Sequence, residues 1–184
     1  MEIQLQLFDS SILKPPPRPS LSNEKVLHDI ATDVYQKMVK LGLADIEEDE
    51  PDEYKDDIID IFSDAIRFGE SSYQIAKSFD SRLCWEPDHD LIDFFDSVHM
   101  IAYNKLTELV NHWVAQYNIQ PQFQIGQIVT FKSYDRKDRP GEIVGIYKDT
   151  ARYVVYCEEL GHTKAKAGTK GAVLAYEDVS EVSK

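Results

Sequence analysis

The sequence predicts an α+β protein, an N-terminal acidic helical bundle followed by a small antiparallel β-barrel. Two observations carry that expectation. Apolar residues recur every three to four positions as far as Pro121, then fall into short Val/Ile/Tyr-rich runs separated by Gly, Pro and Asp. Charge breaks at the same place: residues 1–121 hold 10 Lys/Arg and 24 Asp/Glu, a net of −14, whereas residues 122–184 hold 10 and 9, a net of +1. Such a break suggests two units with different partners. Three stretches follow: residues 1–19, an extended peptide on a Pro-rich tether; residues 20–119, an acidic helical domain; and residues 122–181, the barrel.

Each element has its own signals. In "SLSNEKVLHDIATDVYQKMVKLG", Val26, Leu27, Ile30, Val34, Met38 and Leu41 keep helical spacing, with Ser22 as N-cap and Gly42 as the stop. An acidic loop then runs into a second helix ending near Gly69, and "SSYQIAKSF" predicts a short third. The fourth, "PDHDLIDFFDSVHMIAYNKLTELVNHWVAQYN", is long, with Pro87 near its first turn and Asp88 or Asp90 as cap. Its apolar residues, from Leu91 and Phe94 to Trp113 and Val114, form a face wide enough for the core of a bundle. Beyond Pro121 the expected strands are residues 127–132, 141–147, 152–156 and 172–179. The layout "IGQIVTF", "RPGEIVGI", "RYVVYC", an exposed loop and a last strand resembles SH3-like barrels of the Tudor/KOW kind. That resemblance covers about one third of the chain and implies a fold, not an activity.

Composition narrows the function classes. Cys84 and Cys157 stand far apart, which suggests reduced thiols in a cytosolic protein. The first residues lack the basic and apolar regions of a signal peptide, and no run approaches the roughly 18 apolar residues of a membrane helix. A cytoplasmic location is therefore expected.

No catalytic set emerges, so the expectation is a non-enzyme with no cofactor and no metal. There is no G-x-S-x-G, and "GHTKAKAGTKG" does not match the spacing of a phosphate-binding loop. Asp93, Asp96 and His99, and Glu108 with His112, share helix faces. HExxH, zinc spacings and the paired carboxylate sets of a di-metal bundle are missing, so these residues read as polar flanks of a helix core.

Three stretches are candidates for contact with partners. From Asp45 to Asp64 there are eleven acids and one lysine. Glu53, Asp57, Asp60 and Asp64 fall on one stripe of the second helix, either as its solvated face or as a surface imitating a phosphate backbone. The second candidate is the basic loop of His162, Lys164, Lys166 and Lys170, solvated or able to meet phosphates, with Tyr147, Tyr153, Tyr156 and Tyr176 nearby as stacking or core residues. Direct nucleic-acid binding through that loop is the less favoured reading.

The third candidate opens the chain. In "QLQLF", Leu5 and Leu7 share one face of an extended segment, and "KPPPRPS" follows as a semi-rigid spacer that cannot donate ladder hydrogen bonds. The pentapeptide resembles the bacterial sliding-clamp-binding motif, Gln-Leu-(Ser or Asp)-Leu-Phe, with Gln6 departing at the third position. The resemblance implies that Gln4 bonds at the rim of a cleft that Leu5, Leu7 and Phe8 fill. The competing reading is a strand of the protein's own fold. "PPPRP" also resembles a PxxP ligand, although a spacer role suffices for it. Two functions follow: an adaptor that docks on a hub such as the replication clamp, or an acidic DNA-mimicking inhibitor of a nucleic-acid-binding enzyme.

Overall fold

In a computed structural model, residues 15–44, 54–165 and 168–182 are described. Helices fill the first part and an antiparallel sheet the second, as the change of hydrophobic period requires. The first helix, α1 (Glu24–Lys40), is capped by Asn23 rather than Ser22. Asn23 Oδ1 accepts from the N–H groups of Lys25 and Val26, whereas the Ser22 hydroxyl pairs with that of Ser20. Helix α2 (Lys55–Phe68) ends at Gly69 with φ +69°, a conformation that glycine adopts without steric cost. Helix α3 (Ser72–Leu83) opens with a reciprocal capping box between Ser71 and Gln74. It runs past the expected end because Leu83 is buried and Cys84 supplies a left-handed cap. Helix α4 (His89–Gln116) is capped by Asp88, which accepts from the Leu91 N–H at 2.9 Å.

The four helices enclose a core of aromatic rings. Phe62 of α2 lies 5.7 Å from Phe79 of α3 and 6.2 Å from both Phe94 and Phe95 of α4, centroid to centroid. Phe79 and Phe95 approach to 4.8 Å. Leu27, Ile30 and Val34 of α1 belong to the same buried cluster. Lys105 of α4 donates to Asp33 of α1 at 3.0 Å, across the edge of that core.

The sheet has five antiparallel strands: β1 (Ile128–Lys132), β2 (Asp138–Tyr147), β3 (Arg152–Tyr156), β6 (Ala172–Ala175) and β7 (Val179–Glu181), in the order β6-β3-β2-β1-β7. A two-stranded ribbon, β4 (Lys164–Ala165) with β5 (Gly168–Thr169), stands apart. The expected last strand, 172–179, is broken by a 3-10 turn at Tyr176–Asp178, so that its end returns to pair with β1. The expected second strand begins three residues earlier, at Asp138, and an irregularity between Ile143 and Gly145 lets it serve β1 and β3 in turn. The recorded pairings leave β6 and β7 as edges. At Gly141 a Cβ would stand 2.5 Å from Val155 Cγ1 and 2.9 Å from the Tyr156 carbonyl oxygen, a crossing that only glycine allows.

A second buried cluster fills the sheet. Val129, Phe131, Ile143, Tyr153 and Val155 point to one side by strand alternation, and Trp113 of α4 belongs to this cluster too. The long helix therefore contributes to both cores.

An acid-sensitive network closes the β1–β2 connection. Arg139 donates to Asp135 at 2.8 Å and to Glu159 at 2.6 Å, and the buried Ser133 hydroxyl also bonds Asp135. The Arg139 hydrogen bond above all, with that of Ser133 after it, holds the Asp135 carboxyl well below the usual aspartate range. A carboxyl depressed in the folded state favours folding above its unfolded value, about 3.9, and ceases to do so as pH falls toward the folded one. Acid titration followed by sheet circular dichroism is expected to show stability declining below about pH 4. Asp135→Asn is expected to be less stable at neutral pH and to flatten that decline.

Candidate functional site

The sequence candidates fall at separate places. Gln4, Leu5, Leu7 and Phe8 lie outside the described residues, as do Glu53 and Lys166. Asp57, Asp60 and Asp64 are exposed along α2, opposite the buried Ile58, Phe62 and Ile66. Asp64 is 3.5 Å from Arg82 of α3, and Arg67 at the end of α2 pairs with Glu24 of α1. Cations thus temper one end of the stripe, while Asp57 and Asp60 have no ion pair among the described residues.

The basic loop has more structure than its composition suggests. Its backbone forms the β4–β5 ribbon, closed by the Lys170 N–H donating to the Thr163 carbonyl at 3.0 Å. His162 turns inward: its Nδ1 accepts from the Cys157 N–H at 3.0 Å. An imidazole that accepts at Nδ1 carries its proton on Nε2 and is neutral in that role. Lys170 is exposed. Of the neighbouring tyrosines, Tyr153 and Tyr176 are buried with ring centroids 4.3 Å apart and the planes tilted, whereas Tyr147 is exposed.

The polar sets on α4 do not converge. His99 Nε2 donates to the Glu70 carbonyl at 2.7 Å, and His89 stands 3.6 Å from Asp93. Among the described residues no group of three or more His, Cys, Asp or Glu side chains could hold a metal ion.

The proline segment supplies the feature that composition did not reveal. Expected as a spacer clear of the fold, residues 15–19 instead lie on the body, beside a cleft of about 1000 Å³ between the end of α4 and the sheet. Trp113 of α4 donates its indole N–H to the Pro16 carbonyl at 3.0 Å. Arg18 donates to the carbonyls of Thr150 and Ala151 in the β2–β3 turn and stands 3.6 Å from Glu177. Its side chain is only 12% exposed, so the guanidinium is enclosed and not a solvated surface charge. Burial lowers its pKa from the ordinary arginine value; Glu177 opposes that shift and Arg152 reinforces it.

Local structure makes these acceptors available. Ala151 is fully buried at the end of the turn with φ +47°, and its carbonyl accepts from the Tyr176 N–H as well as from Arg18. Tyr176 follows β6 and precedes the return to β7, which places Glu177 beside Arg18. Burial raises the Tyr176 pKa, and among the described residues its hydroxyl has no hydrogen-bond partner. Leu106, Val110 and Ile119 give the cleft its apolar lining.

No described helix is long and apolar enough to cross a membrane. Compared with known proteins, the chain matches no family model, no curated protein and no solved structure.

Proposed function

We propose that the chain is a cytoplasmic, non-enzymatic adaptor acting through protein–protein contacts, with Gln4, Leu5, Leu7 and Phe8 docking on the bacterial replication sliding clamp. The observation that carries this reading is the fixing of residues 15–19 on the body by Trp113 and Arg18. A docking peptide joined to a held proline segment is anchored to the body at residues 15–19. The sheet is read as an SH3-like barrel. Its strand order, with a 3-10 turn before the final strand, supports that reading and assigns no activity by itself.

The test is binding of the full chain to a purified bacterial clamp. Two buried leucines and a phenylalanine supply about 1.5–3 kcal/mol each before ordering costs, so affinity near micromolar, about −8 kcal/mol, is expected. Leu7→Ala with Phe8→Ala is expected to abolish binding and leave the melting temperature nearly unchanged. No clamp binding by the parent protein, together with a stability loss of about 3–5 kcal/mol in the variant, would restore the strand of the fold.

The exposed carboxylates of Asp57 and Asp60 favour a second reading, the acidic DNA-mimicking inhibitor of a nucleic-acid-binding enzyme. The two readings separate by salt. Apolar docking survives moderate ionic strength, whereas a charge decoy releases steeply as salt rises.

A further inference from the structure

The contacts made by residues 15–19 specify a chemistry. Residues 15–19 belong to no helix or strand, so no ladder takes up their carbonyls, and their prolines have no N–H to leave unsatisfied. The Trp113 indole N–H, a donor without acceptor capacity, meets one such carbonyl at Pro16. The Thr150 and Ala151 carbonyls and the Glu177 carboxylate offer acceptors of complementary kind, and the forked guanidinium of Arg18 reaches all of them. A lysine ammonium is a point charge and cannot copy that fork. Fixed proline dihedrals also reduce the entropy lost when the segment is held.

The cis segment does not fill what it touches. The cleft beside it keeps about 1000 Å³ of open space lined by Leu106, Val110, Ile119 and Tyr176. Arg152 also lines it, without an ion pair among the described residues. A longer ligand of the same proline-rich kind has apolar surface and an unpaired guanidinium still to engage.

We propose that the surface that residues 15–19 cover at Trp113, Thr150, Ala151 and Glu177, together with the open cleft whose wall they form, is a recognition site for an extended, arginine-bearing, proline-rich segment of a partner protein, and that residues 15–19 are the cis competitor for it. The proposal goes beyond the adaptor reading and does not depend on the clamp. The partner segment inserts its arginine at Thr150, Ala151 and Glu177 and gives a proline carbonyl to Trp113, displacing residues 15–19. A cis segment competes at an effective concentration of about millimolar, so the intact chain is largely closed to weak ligands. Displacement also breaks the bridge that residues 15–19 make between α4 and the sheet.

The test is a labelled peptide of residues 13–20, titrated by fluorescence polarisation against the full chain and its full-length Arg18→Ala variant. Weakening the cis competitor is expected to tighten peptide binding about tenfold or more, the scale of one charge-assisted contact. A peptide whose own arginine is alanine is expected to bind the variant at least about tenfold more weakly than the parent peptide. Arg18→Lys, which keeps the charge and loses the fork, serves for the same comparison should Arg18→Ala lose its native circular dichroism. Equal affinity for the parent chain and the folded variant, or indifference to the peptide's arginine, overturns the proposal.

Discussion

Phe62→Ala is expected to destabilise the protein by about 3–5 kcal/mol, the range for truncating a fully buried aromatic residue. Phe62 has no solvent exposure and touches rings from α3 and α4 at once. Its loss opens a cavity whose walls belong to different helices and cannot close by one side chain changing rotamer. Ring pairing adds about 0.5–1.5 kcal/mol per pair beyond area burial, which places the expected effect toward the upper end. Urea unfolding followed at the helical circular dichroism band is the measurement, with a lower midpoint and an unchanged slope. A loss below about 1 kcal/mol would contradict a close-packed aromatic centre.

Trp113→Ala is expected to cost about as much, roughly 3–5 kcal/mol, for a different reason. Trp113 belongs to α4, yet it is buried among Val129, Phe131 and Tyr153 of the sheet and donates to Pro16. Trp113→Phe isolates the second role, because it keeps an aromatic ring and removes the donor. That variant is expected to lose about 0.5–1.5 kcal/mol for the missing hydrogen bond, plus a smaller packing loss. Thermal unfolding of both variants, with proteolysis monitored around residues 117–127, is the measurement. If alanine and phenylalanine behave alike, the hydrogen bond dominates; if Trp113→Ala is harmless, α4 does not brace the sheet.

The helices were legible because their signals are local. The apolar spacing of α1 and α4 and the Gly69 stop need only neighbours within a few residues of sequence, whereas Asp88 and Asp90 both suited the cap of α4 and the structure chose Asp88. Errors arose where two local solutions compete. Ser22 and Asn23 are both good caps, and the Ser20 hydroxyl takes Ser22 out of contention. The end of α3 depended on whether Leu83 is buried, which neighbouring helices decide. Strand β3 was legible from alternation, whereas the break at Tyr176 was not, since a 3-10 turn leaves no periodic trace in three residues. In the basic stretch, glycines and lysines argued for a loop, yet the His162 contact with Cys157 needs a fold to bring the ring to that N–H.

By itself, the sequence determined where helices give way to strands, where the charge lies, and that α4 carries a broad apolar face. These follow from hydrophobic periodicity, capping and turn chemistry, all of short range. Only the tertiary structure decided what the proline segment touches. Pro16 and Trp113 are 97 positions apart, and Arg18 and Ala151 are 133 apart. No periodicity links such residues. Their meeting depends on α4 reaching the sheet core and on the β2–β3 turn presenting its carbonyls, conditions set by packing across the whole chain.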